Sequence, residues 1–257
     1  MKYPEPCVAT DDEGTRAFIM ERLRERLTGT PREGVHVSDL LYCLLKQWAK
    51  KKLESLPRNV LEEDEDEQLL MWVVGRSHED IFGKGMQVKD PIERDGIVGS
   101  IDRWSGIPVE IKSTRASAKK DIMEMPHYVA QVAAYCYGHN QTECTVIVFH
   151  VMGDYYHQTR EGKAEKAGPS AKLKVYHLEF EKEMLAEWWD ELLRRKAILE
   201  GDEKPEVDDM YSPMWEWECQ YCKVGGYVNC EKWLSIEEDR RKAHERKGRR
   251  EQSIESA

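Results

Sequence analysis

Apolar residues recur at helical spacing over residues 11 to 28, where Phe18, Ile19, Leu23 and Leu27 punctuate a charged background, and this predicts an amphipathic helix. A Thr-Gly-Thr-Pro break follows, and Ser38 stands where a helix N-cap belongs, ahead of DLLYCLLKQWAKKKL. EEDEDE (62 to 67) reads as an acidic entry to the next helix, QLLMWVVGRSHEDIF, because carboxylates suit the positive end of a helix. The pattern then shortens to β-type runs separated by turn residues, around GMQVKD, GIVGSIDRW and IPVEIKST. Pro126 can open a helix that runs through HYVAQVAAYCY and stops at Gly138. CTVIVFHVM reads as a strong strand, GDYYHQTREGKAEKAGPSAK as a hairpin loop, LKVYHLEF as its following strand, and EKEMLAEWWDELLRRKAILEG as a helix ending at Gly201. The stretch PEVDDMYSPMWEWECQYCKVGGYVNCEKW has no regular period and reads as irregular coil held by a metal. Helices, three strands, a helix, further strands and a helix make an α/β core with a mixed sheet rather than a strict βαβ repeat.

One run conflicts with its own pattern. VEIKS has the Val and Ile of a buried strand, yet Glu110 and Lys112 stand two apart and therefore on one face, with Val109 and Ile111 on the other. Asp102 lies just upstream, across the predicted turn. A two-residue turn at Ser105-Gly106 would pair Asp102 with Val109 and separate the carboxylates, so a shared site requires an odd-length loop or a bulge.

Composition narrows the setting. Charged residues make up 34% and the formal net charge is -10, which argues against coating nucleic acid by bulk electrostatics but leaves room for a local basic channel. KQWAKKK (46 to 52), STRASAKK (113 to 120) and DRRKAHERKGRR are the segments that could line one. The longest apolar stretch is too short to cross a bilayer, and the first residues lack the apolar region of a signal peptide, so an intracellular, cytoplasmic protein with no membrane partner is expected. Seven cysteines in a reducing compartment point to metal thiolates and packing rather than disulfides.

Two carboxylates and a lysine near a hairpin are what metal-assisted phosphodiester cleavage needs. Mg2+ keeps several waters, so one or two carboxylates suffice to hold it against a phosphate, and an ammonium can position the attacking water or offset developing charge. Asp102, Glu110 and Lys112 supply these groups, and His78 is a further imidazole ligand suited to Mn2+. Gln131 and Tyr135 share a helix face with Tyr128 and could contact a phosphate or orient Lys112.

GRSH, GSID, EIK and QVAAY, in this order and spacing, resemble the successive motifs of RecB-type nucleases of the PD-(D/E)XK superfamily. The resemblance implies a restriction-endonuclease-like core, with a mixed central sheet flanked by helices. It implies His78, Asp102, Glu110 and the backbone carbonyl of Ile111 as metal ligands, Lys112 as the catalytic lysine, and Gln131 and Tyr135 as an accessory pair. Ser100-Ile101-Asp102 replaces the Pro-Asp of the superfamily's name, as is usual in the RecB branch.

Cys219, Cys222 and Cys230 form a Cys-x-x-Cys followed by a third cysteine in an aromatic, Gly-containing coil, a soft donor set that selects zinc or an iron-sulfur cluster. Cys43, with no other cysteine near it in sequence, is the best fourth ligand, and such a bond would clip the first helical segment to the last coil. Cys7, Cys136 and Cys144 read as bystanders. Spacing alone leaves zinc and iron-sulfur open. One early Cys, then the nuclease motifs, then a Cys triplet resembles the CRISPR-associated Cas-four exonucleases and related iron-sulfur nuclease domains, over residues 38 to 230. That likeness implies a [4Fe-4S] cluster, while the long gap between Cys222 and Cys230 keeps zinc as the runner-up.

The reading is a metal-dependent DNA exonuclease acting with Mg2+ or Mn2+ on single-stranded ends, with a structural cluster and a place beside the CRISPR integrase in spacer acquisition. Its alternatives are a DNA-binding or partner-docking module with weak or absent chemistry, and a zinc-held structural protein. No Gly-x-x-x-x-Gly-Lys-Ser/Thr stretch occurs, so no helicase motor is expected on this chain. Ring-forming relatives leave an oligomer open. The expected division is an N-terminal helical extension (1 to 37), a cluster-associated helical region (38 to 74), the nuclease core (75 to 200), a Cys-rich coil (201 to 235) and a charged, disordered tail (236 to 257).

Overall fold

A computed structural model describes residues 13–27, 33–53, 65–151, 156–158, 164–166, 171–206, 217–220 and 222–255. Cys7, the first half of the acidic run 62 to 67, much of the loop after Gly153 and the stretch 207 to 216 lie outside them.

In chain order the elements are helix α1 (Glu13–Leu27), strand β1 (Val35–His36), helices α2 (Val37–Leu41), α3 (Leu44–Lys52) and α4 (Glu65–Phe82), and strands β2 (Ile92–Arg94), β3 (Ile97–Gly99), β4 (Arg103–Trp104) and β5 (Pro108–Thr114). Helix α5 (Pro126–Gly138), strands β6 (Glu143–His150), β7 (Tyr156–Gln158), β8 (Ala164–Lys166) and β9 (Lys172–Glu179), and helices α6 (Lys182–Glu200), α7 (Trp217–Gln220) and α8 (Glu231–Glu255) complete the chain.

The sheet arrangement is mixed, as the order of elements predicts, but it is divided. One sheet runs β4-β5-β6-β9, with β5 and β6 parallel and both outer pairs antiparallel. A smaller one runs β1-β3-β2, with β1 parallel to β3. GMQVKD contributes only one bridge, Gln87 to Trp104, instead of a strand. The residues read as a disordered charged tail form most of helix α8.

Alternation along β5 and β6 separates two packing faces. Val146, Val148 and Cys144 face α5 and pack with Val132, Ala133, Cys136 and Leu185. Val109, Ile111 and Ile147 form the other face, against Phe82 and Met86 at the end of α4. The larger core gathers α2, α3 and α6 around Leu40, Leu44, Trp189 and Leu192. Helix α5 begins at Pro126 and ends at Gly138, as the sequence predicts, with the proline in the first turn where its missing N–H costs nothing.

The helix predicted from Ser38 differs in two ways. His36, not Ser38, is its N-cap, and it breaks at Tyr42–Cys43. Arg195 of α6 is buried there, with Nε donating to Leu40 O at 2.5 Å and Nη2 to Tyr42 O at 2.8 Å. Those carbonyls are drawn to a guanidinium instead of to amides one turn on, and the chain turns into an elbow that carries Cys43.

Candidate active site

The site begins at the β4–β5 hairpin. Arg103 pairs with Val109 and Trp104 with Pro108, leaving a loop of odd length, Ser105–Ile107, in which Gly106 takes a φ of +89°. Extending that register one step places Asp102 opposite Glu110, so the two carboxylates share a face. Asp102 Oδ2 accepts from the amide of Ile111 at 2.7 Å. Arg103 ties this hairpin to α4, with Nε donating to Gly83 O at 3.3 Å and Nη2 to Glu79 O at 3.2 Å.

Glu110 is only 3% exposed, and the Lys112 ammonium lies 2.5 Å from its Oε1. Its second oxygen, Oε2, is buried with no hydrogen-bond partner, a costly state for a carboxylate oxygen. Burial works against the ammonium, but the fields of Glu110, Tyr135 and Asp102 outweigh it and raise the Lys112 pKa, so the lysine stays protonated. Burial and then the neighbouring Glu110 push the Asp102 carboxyl up to about 7. Burial also raises Glu110, against the pull of Lys112.

Helix α5 closes the site from above. Gln131 Nε2 donates to Tyr135 Oη at 2.7 Å, and both residues line the same cleft as Asp102, Glu110 and Lys112, a space of about 490 Å³. The Lys112 ammonium lies 5.8 Å from the centre of the Tyr128 ring. Gly99 of GSID makes room for this packing, because a Cβ there would sit 2.8 Å from Tyr135 Cε1.

His78 is not brought to the carboxylates. Its ring stacks on Phe82 at 5.8 Å and tilts against Phe149 at 4.5 Å, and Phe149 pairs with Ser113, on the sheet face opposite Glu110 and Lys112. Glu79, one residue further along the helix, lines the cleft instead. Burial and then the field of Asp102 raise its pKa, while Arg76, bonded to it at 3.3 Å, pulls the other way. The sequence contained the signal, since Glu79 is the carboxylate that directly follows GRSH. Among the described residues, KQWAKKK and STRASAKK do not line this cleft; its cations are Lys112, which directly precedes the second segment, with Arg76 and Arg103.

Cys43, Cys222 and Cys230 pack in one hydrophobic cluster, which unites the elbow after α2 with the turn before α8. Cys219, on α7, is buried and feels the fields of Cys230 and Cys222. Burial, followed by Glu218, Cys222 and Cys230, pushes the Cys43 thiol up to about 12. The Cys43 amide donates to Glu218 Oε2 at 3.0 Å, joining residues far apart in sequence. All four are free thiols. Cys136 and Cys144 are fully buried in the sheet core, where Cys136 donates to Glu143 O at 3.5 Å.

Among the described residues, no three His, Cys, Asp or Glu side chains converge closely enough to form a ready metal cage, at either the carboxylates or the cysteines. The donor chemistry still fits. The orphaned Glu110 oxygen and the Asp102 carboxylate suit a hard cation that keeps waters, and four undisulfided thiols suit a soft one. Nor is any helix of the described residues long and apolar enough to cross a membrane.

No family model matches the chain, and no curated protein matches it. The crystal structure of SSO0001 superposes with a TM-score of 0.50 at 15% identity, covering 82% of this chain and 93% of that one, so the two share a fold. A phage-related exonuclease from Haemophilus somnus 129PT aligns with a TM-score of 0.36 at 10% identity over 66% of this chain and 92% of its own. An alkaline exonuclease from Laribacter hongkongensis gives 0.35 at 14% identity over 70% and 92%.

Proposed function

We propose that the chain is a divalent-metal-dependent deoxyribonuclease with a restriction-endonuclease-like core that trims DNA from single-stranded ends. The observation that carries the reading is the pairing of Asp102 with Glu110 across one hairpin, with the Lys112 ammonium against Glu110. Asp102, Glu110 and the Ile111 carbonyl are the groups that would hold Mg2+ or Mn2+, with a third side chain from α4. Such a cation, when bound, lowers the pKa of a water and offsets charge on the scissile phosphate.

The chain's own groups do the rest. Lys112, kept protonated by its surroundings, acts as a cation and donor toward the attacking water or the phosphate rather than as a base. Gln131 and Tyr135, bonded to one another, set the shape of the wall that Lys112 faces. Burial raises the Glu110 pKa and the Lys112 ammonium opposes that rise, an attraction that little water screens.

Cys43, Cys219, Cys222 and Cys230 would bind a [4Fe-4S] cluster that clips the elbow to the C-terminal coil, with zinc as the alternative occupant. A role beside the CRISPR integrase rests on family resemblance alone; a free-standing nuclease would use the same site. The second reading, a DNA-binding or docking platform without chemistry, draws on the Glu110–Lys112 pair being already closed.

One anaerobic preparation tests these readings together. Iron, sulfide and zinc are quantified, and the same protein is given an end-labelled single strand with Mn2+ beside Lys112→Ala and Glu110→Ala. Cleavage by the parent alone is expected. Equal degradation by all three excludes the nuclease, and colourless zinc-loaded protein excludes the cluster.

A further inference from the structure

The cleft contains donors that the carboxylate chemistry does not use. His36 and Ser38 line it beside Asp102 and Lys112, although they belong to the segment that leads to Cys43. Strand pairing brings them there: β1 runs parallel to β3 with His36 beside Val98, and β3 leads through Ser100 and Ile101 to Asp102.

Asp39 Oδ2 receives the His36 amide at 3.1 Å. Nε2 of the His36 ring is left inside the protein without a partner, and when it carries a proton it is a donor lacking an acceptor. Arg76 lines the same cleft and commits one guanidinium nitrogen to Glu79, and a guanidinium carries five N–H groups.

We propose that His36, Ser38 and Arg76 form a phosphate subsite that takes the strand phosphate next to the scissile one. The inference rests on the nuclease reading. An imidazole N–H, a hydroxyl and a guanidinium are all donors toward anionic oxygen. They lie beside a carboxylate cluster that would repel the same phosphate without them. The cleft volume of about 490 Å³ lies within the range that holds a whole small ligand, so a second phosphate and its sugar fit beside the reacting one.

The test uses the full chain with Mn2+ and short single strands in which successive phosphates are replaced by neutral methylphosphonates. One position next to the cleavage site is expected to slow the parent about tenfold, the loss of one charge-assisted hydrogen bond. His36→Ala/Ser38→Ala is expected to be about tenfold slower on the all-phosphate strand and indifferent to that replacement. His36→Gln, whose amide N–H can stand in for Nε2–H, restores the sensitivity and guards against a folding defect.

Circular, 5′-hydroxyl and 5′-phosphorylated strands separate an internal diester from a terminal phosphate as the ligand. Losses that simply add at every position overturn the subsite. If the parent cleaves nothing, the nuclease reading has failed instead. Fluorescence anisotropy of the same strands in Ca2+ then decides the subsite separately, and affinity that ignores His36, Ser38 and the replaced phosphate rejects it.

Discussion

Asp102 and Glu110 face each other across a hairpin whose loop has an odd number of residues, and that parity alone puts both carboxylates on one side of the sheet. The first prediction follows from it. Ser105→Asn makes an Asn-Gly pair that favours a two-residue turn at 105–106; Trp104 then pairs with Ile107 and Asp102 with Val109, which turns one carboxylate away from the other. The variant is expected to keep its circular-dichroism spectrum and lose cleavage by at least about a hundredfold, the scale of losing one positioned charge. Unchanged activity would disconnect the register from the chemistry.

Asp102 also sets a pH dependence. Its carboxyl, raised to about 7 in the fold from an ordinary value of 3.8, binds a proton in the folded chain across that window that the unfolded chain has released. Metal-free stability should therefore fall as pH rises from about 4 through 7 and stay lower above it. Asp102→Asn removes that loss, so its melting temperature should exceed the parent's at pH 8 and approach it at pH 4. Mn2+ must displace the proton, so its affinity by calorimetry should drop about tenfold for each pH unit below 7. A flat affinity from pH 6 to 8 would place the cation elsewhere.

The division between what was legible and what was not follows the range of the interactions. Helix α5, with a proline at its start and a glycine at its end, is written locally, and so is the face shared by Glu110 and Lys112. The break at Tyr42–Cys43 is not, because its cause is Arg195, more than 150 residues away. A side chain that captures two carbonyls leaves no mark on the periodicity of DLLYCLLKQW. The rotation of α4 was hidden for a similar reason. GRSHED offers an imidazole and a carboxylate at adjacent positions, about 100° apart around a helix, and only packing of the His78 ring on Phe82 and Phe149 decides which one reaches the cleft.

That rotation gives the third prediction. Glu79→Gln and His78→Ala are compared by Mn2+ titration in calorimetry, which reads binding independently of turnover. The carboxylate lines the cleft and the imidazole does not, so Glu79→Gln should weaken Mn2+ binding about tenfold and His78→Ala much less. The reverse order would mean that the cation rotates α4 by one residue as it binds.

The elbow supplies the last prediction. Arg195 is 2% exposed and holds Leu40 O and Tyr42 O, while Glu218, 6% exposed, holds the Cys43 amide. These bonds bracket Cys43 without any thiolate chemistry, so the elbow should persist in metal-free protein. Arg195→Met keeps much of the side-chain volume but strands two inward-facing carbonyls, and should cost about 3 kcal/mol in denaturant unfolding of the metal-free chain. Glu218→Gln, which keeps an acceptor for the Cys43 amide, should cost about 1 kcal/mol or less. The discriminating measurement is whether the Arg195→Met penalty survives removal of the metal. If it appears only in cluster-loaded protein, the cysteines organise the elbow and the guanidinium merely follows; if it is the same in both, the fold presents Cys43 to the coil before any metal arrives.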